Sequence, residues 1–171
     1  MASKLLTNLC EESIHVQHYV TYYDNGLLHE SYDCVNGKRV GEYKSLYENG
    51  NYNEIINYVD GNIDGEYKSW YNNECITYDM HDSQQLHMIC KYVNGKRVGE
   101  CKVYYNNGNL AMICNYVNNK FNGEHRLWYE NGQQEAICYY IDDKKNGEYK
   151  LWDEDGQLIK KCNYIDDKEV S

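Results

Sequence analysis

From Gln17 onward, apolar and aromatic side chains alternate with polar ones in short runs, and each run stops at a polar pair. Alternation with a period of two predicts half-buried strands. The stops are Asn25-Gly26, Asn49-Gly50, Asn107-Gly108, Asn131-Gly132 and Asp155-Gly156. Asn-Gly between alternating runs is the strongest short-range hairpin signal, so a two-residue type I′ loop is expected at each. A second stop follows Tyr58-Val59, Tyr92-Val93, Tyr116-Val117, Tyr140-Ile141 and Tyr164-Ile165, where a polar link leads to the next run. Helical spacing is confined to Ser3 to Glu12, a candidate short cap over a sheet edge.

These runs repeat. Gly41-Glu42-Tyr43-Lys44 returns as Gly65-Glu66-Tyr67-Lys68, Gly99-Glu100-Cys101-Lys102, Gly123-Glu124-His125-Arg126 and Gly147-Glu148-Tyr149-Lys150, at offsets of 24, 34, 24 and 24. A degenerate copy begins near Gln17, so units start near 17, 41, 65, 99, 123 and 147. The fold class expected is all-β: an elongated single-layer antiparallel sheet of about six stacked 24-residue β-hairpin repeats. A cap is assigned to residues 1–16 and the repeat domain to 17–171, with a ten-residue insertion within 74–85.

A two-residue loop at Asn49-Gly50 sets Tyr47 opposite Tyr52, Tyr43 opposite Ile56 and Gly41 opposite Tyr58. The late tyrosine ring is then expected to lie over the bare glycine and compensate for its missing side chain. One face carries Tyr43, Tyr47, Tyr52 and Ile56, with Cys90, Cys114, Cys138 and Cys162 at the Ile56 position of later units. The other carries Glu42, Lys44 and Leu46, with Ile55, Ile89, Ile113 and Ile137.

The string Gly-Glu-Tyr-Lys-x-Trp-Tyr-x-Asn-Gly followed by Tyr-x-[Asp/Asn]-Gly resembles the MORN (membrane occupation and recognition nexus) repeat. It looks most like the variant subtype of bacterial putative antitoxin components and giant-virus proteins. The resemblance runs from Gln17 to about Val170. It implies stacked hairpins in one sheet, a protein-binding or scaffolding role, lipid binding in some members, and no catalytic residues. Two units depart from the pattern: the first has Gln17 in place of glycine, and the third reads Asn72-Asn73-Glu74 before the insertion.

Composition narrows the partners. The chain has a net charge of −10, with twenty tyrosines, one phenylalanine and no proline. Such acidity opposes nucleic acid and disfavours anionic membrane surface, and it suits a basic or neutral protein. The tyrosine- and asparagine-rich composition also fits an AT-rich genome, in keeping with a giant virus and a host partner. Met1 to Leu9 lacks the apolar core of a signal peptide and no run reaches membrane-spanning length. The eight cysteines include no Cys-x-x-Cys pair, so a reduced, cytoplasmic protein with free thiols is expected.

The cysteines at the Ile56 position would sit two strands, about 9–10 Å, apart, beyond disulfide reach and too spread to converge on zinc. They read as small core filler. None of the six histidines stands at a metal or catalytic-triad spacing, so no catalytic residue, metal or cofactor is assigned. Each Glu42/Lys44-type pair shares one face and reads as a solvated charge ladder.

The candidate partner-binding residues are the aromatic row Trp70, Tyr104, Trp128 and Trp152, together with Tyr78, Met80 and His81 on the insertion. The function expected is a non-enzymatic protein–protein interaction scaffold. The alternatives are an antitoxin-like neutraliser of a basic protein and a membrane-lipid module using Lys38-Arg39, Lys96-Arg97 and Lys144-Lys145. Open sheet edges favour a homodimer.

Overall fold

The computed structural model describes residues 15–73 and 84–170. The cap assigned to the N-terminus lies outside them up to residue 14, and Val16 already opens the first strand. The strands are β1 (Val16–Tyr22), β2 (Leu28–Val35), β3 (Lys38–Leu46), β4 (Tyr52–Val59), β5 (Asn62–Trp70) and β6 (Leu86–Val93). They continue as β7 (Lys96–Arg97), β8 (Gly99–Tyr104), β9 (Leu110–Val117), β10 (Lys120–Phe121) and β11 (Gly123–Trp128). The last are β12 (Gln134–Ile141), β13 (Lys144–Lys145), β14 (Gly147–Trp152), β15 (Leu158–Ile165) and β16 (Lys168–Val170). All belong to one antiparallel sheet in chain order, in which the two-residue strands β7, β10 and β13 pair with β6, β9 and β12 and lead into β8, β11 and β14. The all-β, single-sheet expectation holds.

The expected register holds in mid-strand: Tyr43 pairs with Ile56 and Gly41 with Tyr58, and every later glycine of that kind pairs with its tyrosine, through Gly147 and Tyr164. It fails at the tip. Tyr52 pairs with Leu46, not Tyr47, because a β-bulge shifts the register between Ser45 and Leu46. Tyr52 therefore leaves the Tyr43 face and packs 5.4 Å from the Trp70 ring. The loop has three residues, Glu48-Asn49-Gly50: Tyr47 N donates to Asn51 O at 2.7 Å, Gly50 N donates to Tyr47 O at 2.8 Å, and only Gly50 has positive φ, at +86°. That is a type I turn closed by a glycine bulge, not the type I′ loop expected. Positive φ at both central residues occurs at the links between hairpins instead, such as Asn36-Gly37 and Asp142-Asp143. Two-residue links such as those joining Val35 to Lys38 and Val59 to Asn62 are type I′ turns.

The tip asparagine is selected by its side chain. Asn107 Oδ1 accepts from Asn109 N at 2.9 Å, closing its own turn, while its Nδ2 donates to Glu130 O of the next tip, also at 2.9 Å. Asn25 and Asn131 repeat both contacts. The tyrosine that opens each tip does the same one step inward. Tyr23, Tyr47, Tyr71, Tyr105 and Tyr129 donate their hydroxyls to the carbonyls of Leu46, Trp70, Tyr104, Trp128 and Trp152, each in the following hairpin, at 2.7–2.9 Å. At the opposite edge, Arg97 N donates to Asn119 Oδ1, Phe121 N to Asp143 Oδ1 and Lys145 N to Asp167 Oδ1. Both edges of the sheet are thus stitched by side chains that the motif repeats.

The strand glycines are not covered by tyrosine rings. A Cβ built on Gly41 or Gly99 would meet nothing within 4 Å, and both residues have φ +70°. Glycine is kept there because the chain kinks: Val98 N donates to Lys91 O at 2.9 Å, interrupting the ladder between β7 and β8.

Burial falls on one face, where cross-strand partners form a row of Tyr43, Ile56, Tyr67, Cys90, Cys101 and Cys114, continued by His125 and Cys138. A single sheet has no second layer, so neighbours on the same face close over this row. Small cysteines form its floor, and Tyr92, Tyr116, Phe121, Met88 and Met112 fold over them. Cys114 is completely buried, and Cys101 and Cys90 nearly so.

The expectation of free thiols fails at one pair, since Cys90 and Cys101 form a disulfide with a Cα–Cα distance of 4.4 Å. Equivalent cysteines do lie two strands apart, as reasoned. Cys101, however, takes the Tyr43 position on the strand between Cys90 and Cys114, directly beside both. Cys34, Cys114, Cys138 and Cys162 are free.

Candidate interaction surface

The other face carries the groups available to a partner. Glu42, Glu66, Glu100, Glu124 and Glu148 form a row, each paired with the cation two residues on: Lys44 at 3.2 Å, Lys68 at 2.5 Å, Lys102 at 2.8 Å, Arg126 and Lys150. These short-range pairs neutralise the row locally, as a solvated ladder should. Isoleucines lie between them, and shallow grooves open beside Ile55, Ile89 and Ile137 with glutamates at their rims.

The link edge of this face is different. Val59, Val93, Val117, Ile141 and Ile165 are all exposed, at 41–59 %. Each stands directly opposite the first residue after its type I′ turn: Asn62, Lys96, Lys120, Lys144 and Lys168. Val35 and Lys38 begin the series. Directly opposed residues share a face, so aliphatic and ammonium side chains alternate along one stripe. Turn aspartates hold three of the lysines, Lys38 to Asp60 at 2.8 Å, Lys120 to Asp142 at 3.8 Å and Lys144 to Asp166 at 3.9 Å. Lys96 lacks such a partner among the described residues, because Asn118 stands where the aspartates do. The Tyr-[Val/Ile] landmark and the basic links were both legible in the sequence. What they lacked was the type I′ geometry that sets them side by side.

The family model of the MORN repeat variant matches residues 39–60, 97–118, 121–142 and 145–166, just over half of the chain. The chain belongs to the MORN repeat variant family. Each matched MORN unit runs from a link through one hairpin to the first residue of the next link, so it contains one tip Gly and one exposed Val or Ile, with a tyrosine opening the tip in the first three and Asp153 in the last. The unmatched hairpins are those with Gln17 in place of the glycine and with the insertion after Asn73. No curated protein matches the chain.

Of the residues singled out from the sequence, Trp70, Tyr104, Trp128 and Trp152 do fall into one row, next to the tip bulges. They are half-buried, and their carbonyls are the acceptors of the tyrosine hydroxyls. Tyr78, Met80 and His81 lie outside the described residues. The ends of their segment are anchored to the second tip. Asn51 Nδ2 donates to Asn73 O at 2.6 Å, and Gln84 Oε1 accepts from Tyr52 N at 2.9 Å while Gln84 Nε2 donates to Tyr52 O. Tyr71 N still donates to Gln85 O, as Tyr47 N does to Asn51 O, so the strands flanking the insertion keep the register of the other hairpins.

Among the described residues no group of three or more His, Cys, Asp and Glu side chains could hold a metal ion, and no helix is long and apolar enough to cross a membrane. MORN repeats are interaction modules for proteins and lipids, typically without catalysis. His125, the one buried histidine among the described residues, takes the tyrosine position of its unit, and its Nδ1 has no hydrogen-bond partner. Burial, aided by Lys145, pushes its pKa below the ordinary histidine value. The unfolded chain therefore takes up the proton first as pH falls. Stability is full above about pH 6.5 and declines as pH falls from there through the folded-state pKa. His125→Tyr is expected to remove this slope and to raise stability by about 1 kcal/mol by eliminating the unpartnered nitrogen. Urea unfolding of both proteins between pH 5 and 8 measures it.

Proposed function

We propose that this MORN protein is a non-enzymatic protein–protein interaction scaffold that engages its partner along the link-edge stripe. The supporting observation is the exposure of Val59, Val93, Val117, Ile141 and Ile165 in one line with lysines between them. Scattered apolar residues on a surface need no explanation, whereas a contiguous row marks an interaction site. The half-exposed rings of Trp70, Tyr104, Trp128 and Trp152 supply a second row at the opposite edge. The resemblance to bacterial and giant-virus proteins makes a host protein and a basic enzyme the first heterologous partners to screen. A second copy of the chain is another. β16 covers only Asn163 to Ile165 of β15, leaving Leu158 and Ile159 exposed beside it.

Substituting Val117→Asp and Ile141→Asp together is expected to weaken capture of the native partner by tenfold or more, a loss of about 1.4 kcal/mol or greater. The thermal midpoint should be unchanged, since both side chains are already in water. Titration of wild-type and variant chains against the purified partner gives the affinity ratio. Equal affinities would refute the stripe.

The lysines interleaved with the aliphatic residues favour a second reading, an anionic bilayer surface. Sedimentation with phosphatidylserine vesicles against phosphatidylcholine vesicles separates the two. Retention only on the anionic vesicles, lost in Lys96→Glu, would select the lipid.

A further inference from the structure

The Cys90–Cys101 bond joins β6 to β8 and so crosses the boundary between the third and fourth hairpins. Ladder pairs at that boundary stop at Met88 with Val103 and Ile89 with Lys102, and resume only at Tyr92 with Arg97. The covalent bond therefore lies at the interruption, where backbone pairing is thinnest. The corresponding positions at the next two boundaries hold Cys114 with His125 and Cys138 with Tyr149, which cannot be bridged. Only the boundary beside the insertion-bearing hairpin has two cysteines.

Cys101 has a second cysteine neighbour. On its other side Cys114 is its direct cross-strand partner, with the Cys114 Sγ 3.9 Å from Cys101 O. One free thiol thus lies on the strand beside Cys101, which is already half of a disulfide. Cys90, Cys101 and Cys114 form one buried cluster, which keeps external thiols away and leaves Cys114 as the thiol at hand; burial raises its pKa, so the exchange is fastest at alkaline pH.

We propose that Cys90, Cys101 and Cys114 form a two-position disulfide switch, with the bond passing between Cys90–Cys101, across the hairpin boundary, and Cys101–Cys114, inside one hairpin. In the exchange the Cys114 thiolate attacks Cys101 Sγ, the Cys90–Cys101 bond breaks as the Cys101–Cys114 bond forms, and Cys90 leaves as the thiolate. Cys90 then takes up a proton equivalent to the one Cys114 released, so the step is redox-neutral. Closing the first bond consumes two thiols and one low-molecular-weight disulfide, which is reduced to two thiols. With the bond at Cys90–Cys101 the boundary is stapled. With it at Cys101–Cys114 the third hairpin is joined to the fourth by the interrupted ladder and the Tyr71 hydroxyl bond to Tyr104 O, with no covalent staple.

The full chain, reduced and then equilibrated with oxidised glutathione containing a trace of the reduced form, is alkylated, digested without reduction and mapped by mass spectrometry. Wild type is expected to show both Cys90–Cys101 and Cys101–Cys114 linkages, Cys114→Ala only the first and Cys90→Ala only the second. Amide exchange at Ile89 and Lys102 is expected to be about fivefold faster in oxidised Cys90→Ala than in oxidised Cys114→Ala. Alkylated Cys101 and Cys114 in Cys90→Ala, or equal exchange in the two variants, would overturn the switch. If an alanine variant does not give the sheet spectrum by circular dichroism, the wild-type map decides alone. Absence of the Cys101–Cys114 linkage there overturns the proposal.

Discussion

Replacing Tyr116 by alanine is expected to cost about 3–5 kcal/mol of stability, the range for truncating a large buried aromatic. Tyr116 is 5 % exposed and belongs to the central cluster with Cys90, Cys101 and Cys114. Its ring stacks on Phe121 at 4.8 Å, the Arg97 guanidinium lies 4.3 Å from its centroid, and Arg97 Nη1 donates to its hydroxyl at 2.9 Å. Alanine would leave a cavity over the cysteine floor and strip Arg97 of both its ring contact and its acceptor.

The same substitution at Tyr164, the equivalent position in the last hairpin, is expected to cost under half as much. Tyr164 is only half-buried, and among the described residues the three-residue β16 is the last strand at that end. In a repeat array each unit is stabilised by its neighbours, so a central lesion removes two interfaces and a terminal one removes a single interface. Urea midpoints of the two variants against wild type give the comparison, and equal losses would contradict it. The hydroxyl adds a pH signature. Burial raises the Tyr116 pKa to about 12. The unfolded chain therefore loses this proton first, and its contribution, full below about pH 10, is lost as pH rises through 12.

Gly99→Val is expected to destabilise by about 2 kcal/mol or more, and Gly99→Asn by less than about 1 kcal/mol. A Cβ at Gly99 would meet nothing within 4 Å, so space is no obstacle, and its φ of +70° is the whole constraint. A β-branched residue is strongly disfavoured at that angle, whereas asparagine tolerates it. Had the glycine been kept for a ring lying over it, both substitutions would collide with Tyr116 and both would be costly. Thermal unfolding of the two variants tells these accounts apart.

The stacked-hairpin fold was legible because identical short strings return at a fixed offset, and a strand ladder demands that like positions line up. The two faces follow from period-two alternation, and the mid-strand register with its glycine–tyrosine pairing follows once a turn is placed at each Asn-Gly. The tip loop was misread because Asn-Gly is compatible with two hairpin geometries. The choice between them depends on Tyr47 N reaching Asn51 O across the loop and on the asparagine side chain reaching the next tip, contacts made outside the dipeptide itself. The same blindness hid the disulfide. Comparing cysteines at like positions of successive units cannot find a pair formed by unlike positions on adjacent strands, Cys90 at the Ile56 position and Cys101 at the Tyr43 position.

The interaction surface divides in the same way. Tryptophan and tyrosine drew attention to the tip row by residue type, yet stitching to the preceding tyrosines leaves that row half-buried. The aliphatic row beside the links carried no chemical signal until the type I′ turns placed each valine or isoleucine opposite the residue that follows its turn, a lysine in most hairpins.

By itself the amino-acid order determined that this chain is a series of hairpins in one antiparallel sheet, since alternation and turn residues act over a dozen positions. Which face is buried, which cysteines meet and which edge faces water were decided only in the folded array. Each of those depends on contacts between neighbouring strands and hairpins of the assembled sheet, where a bulge of one residue redirects the side chains beside it.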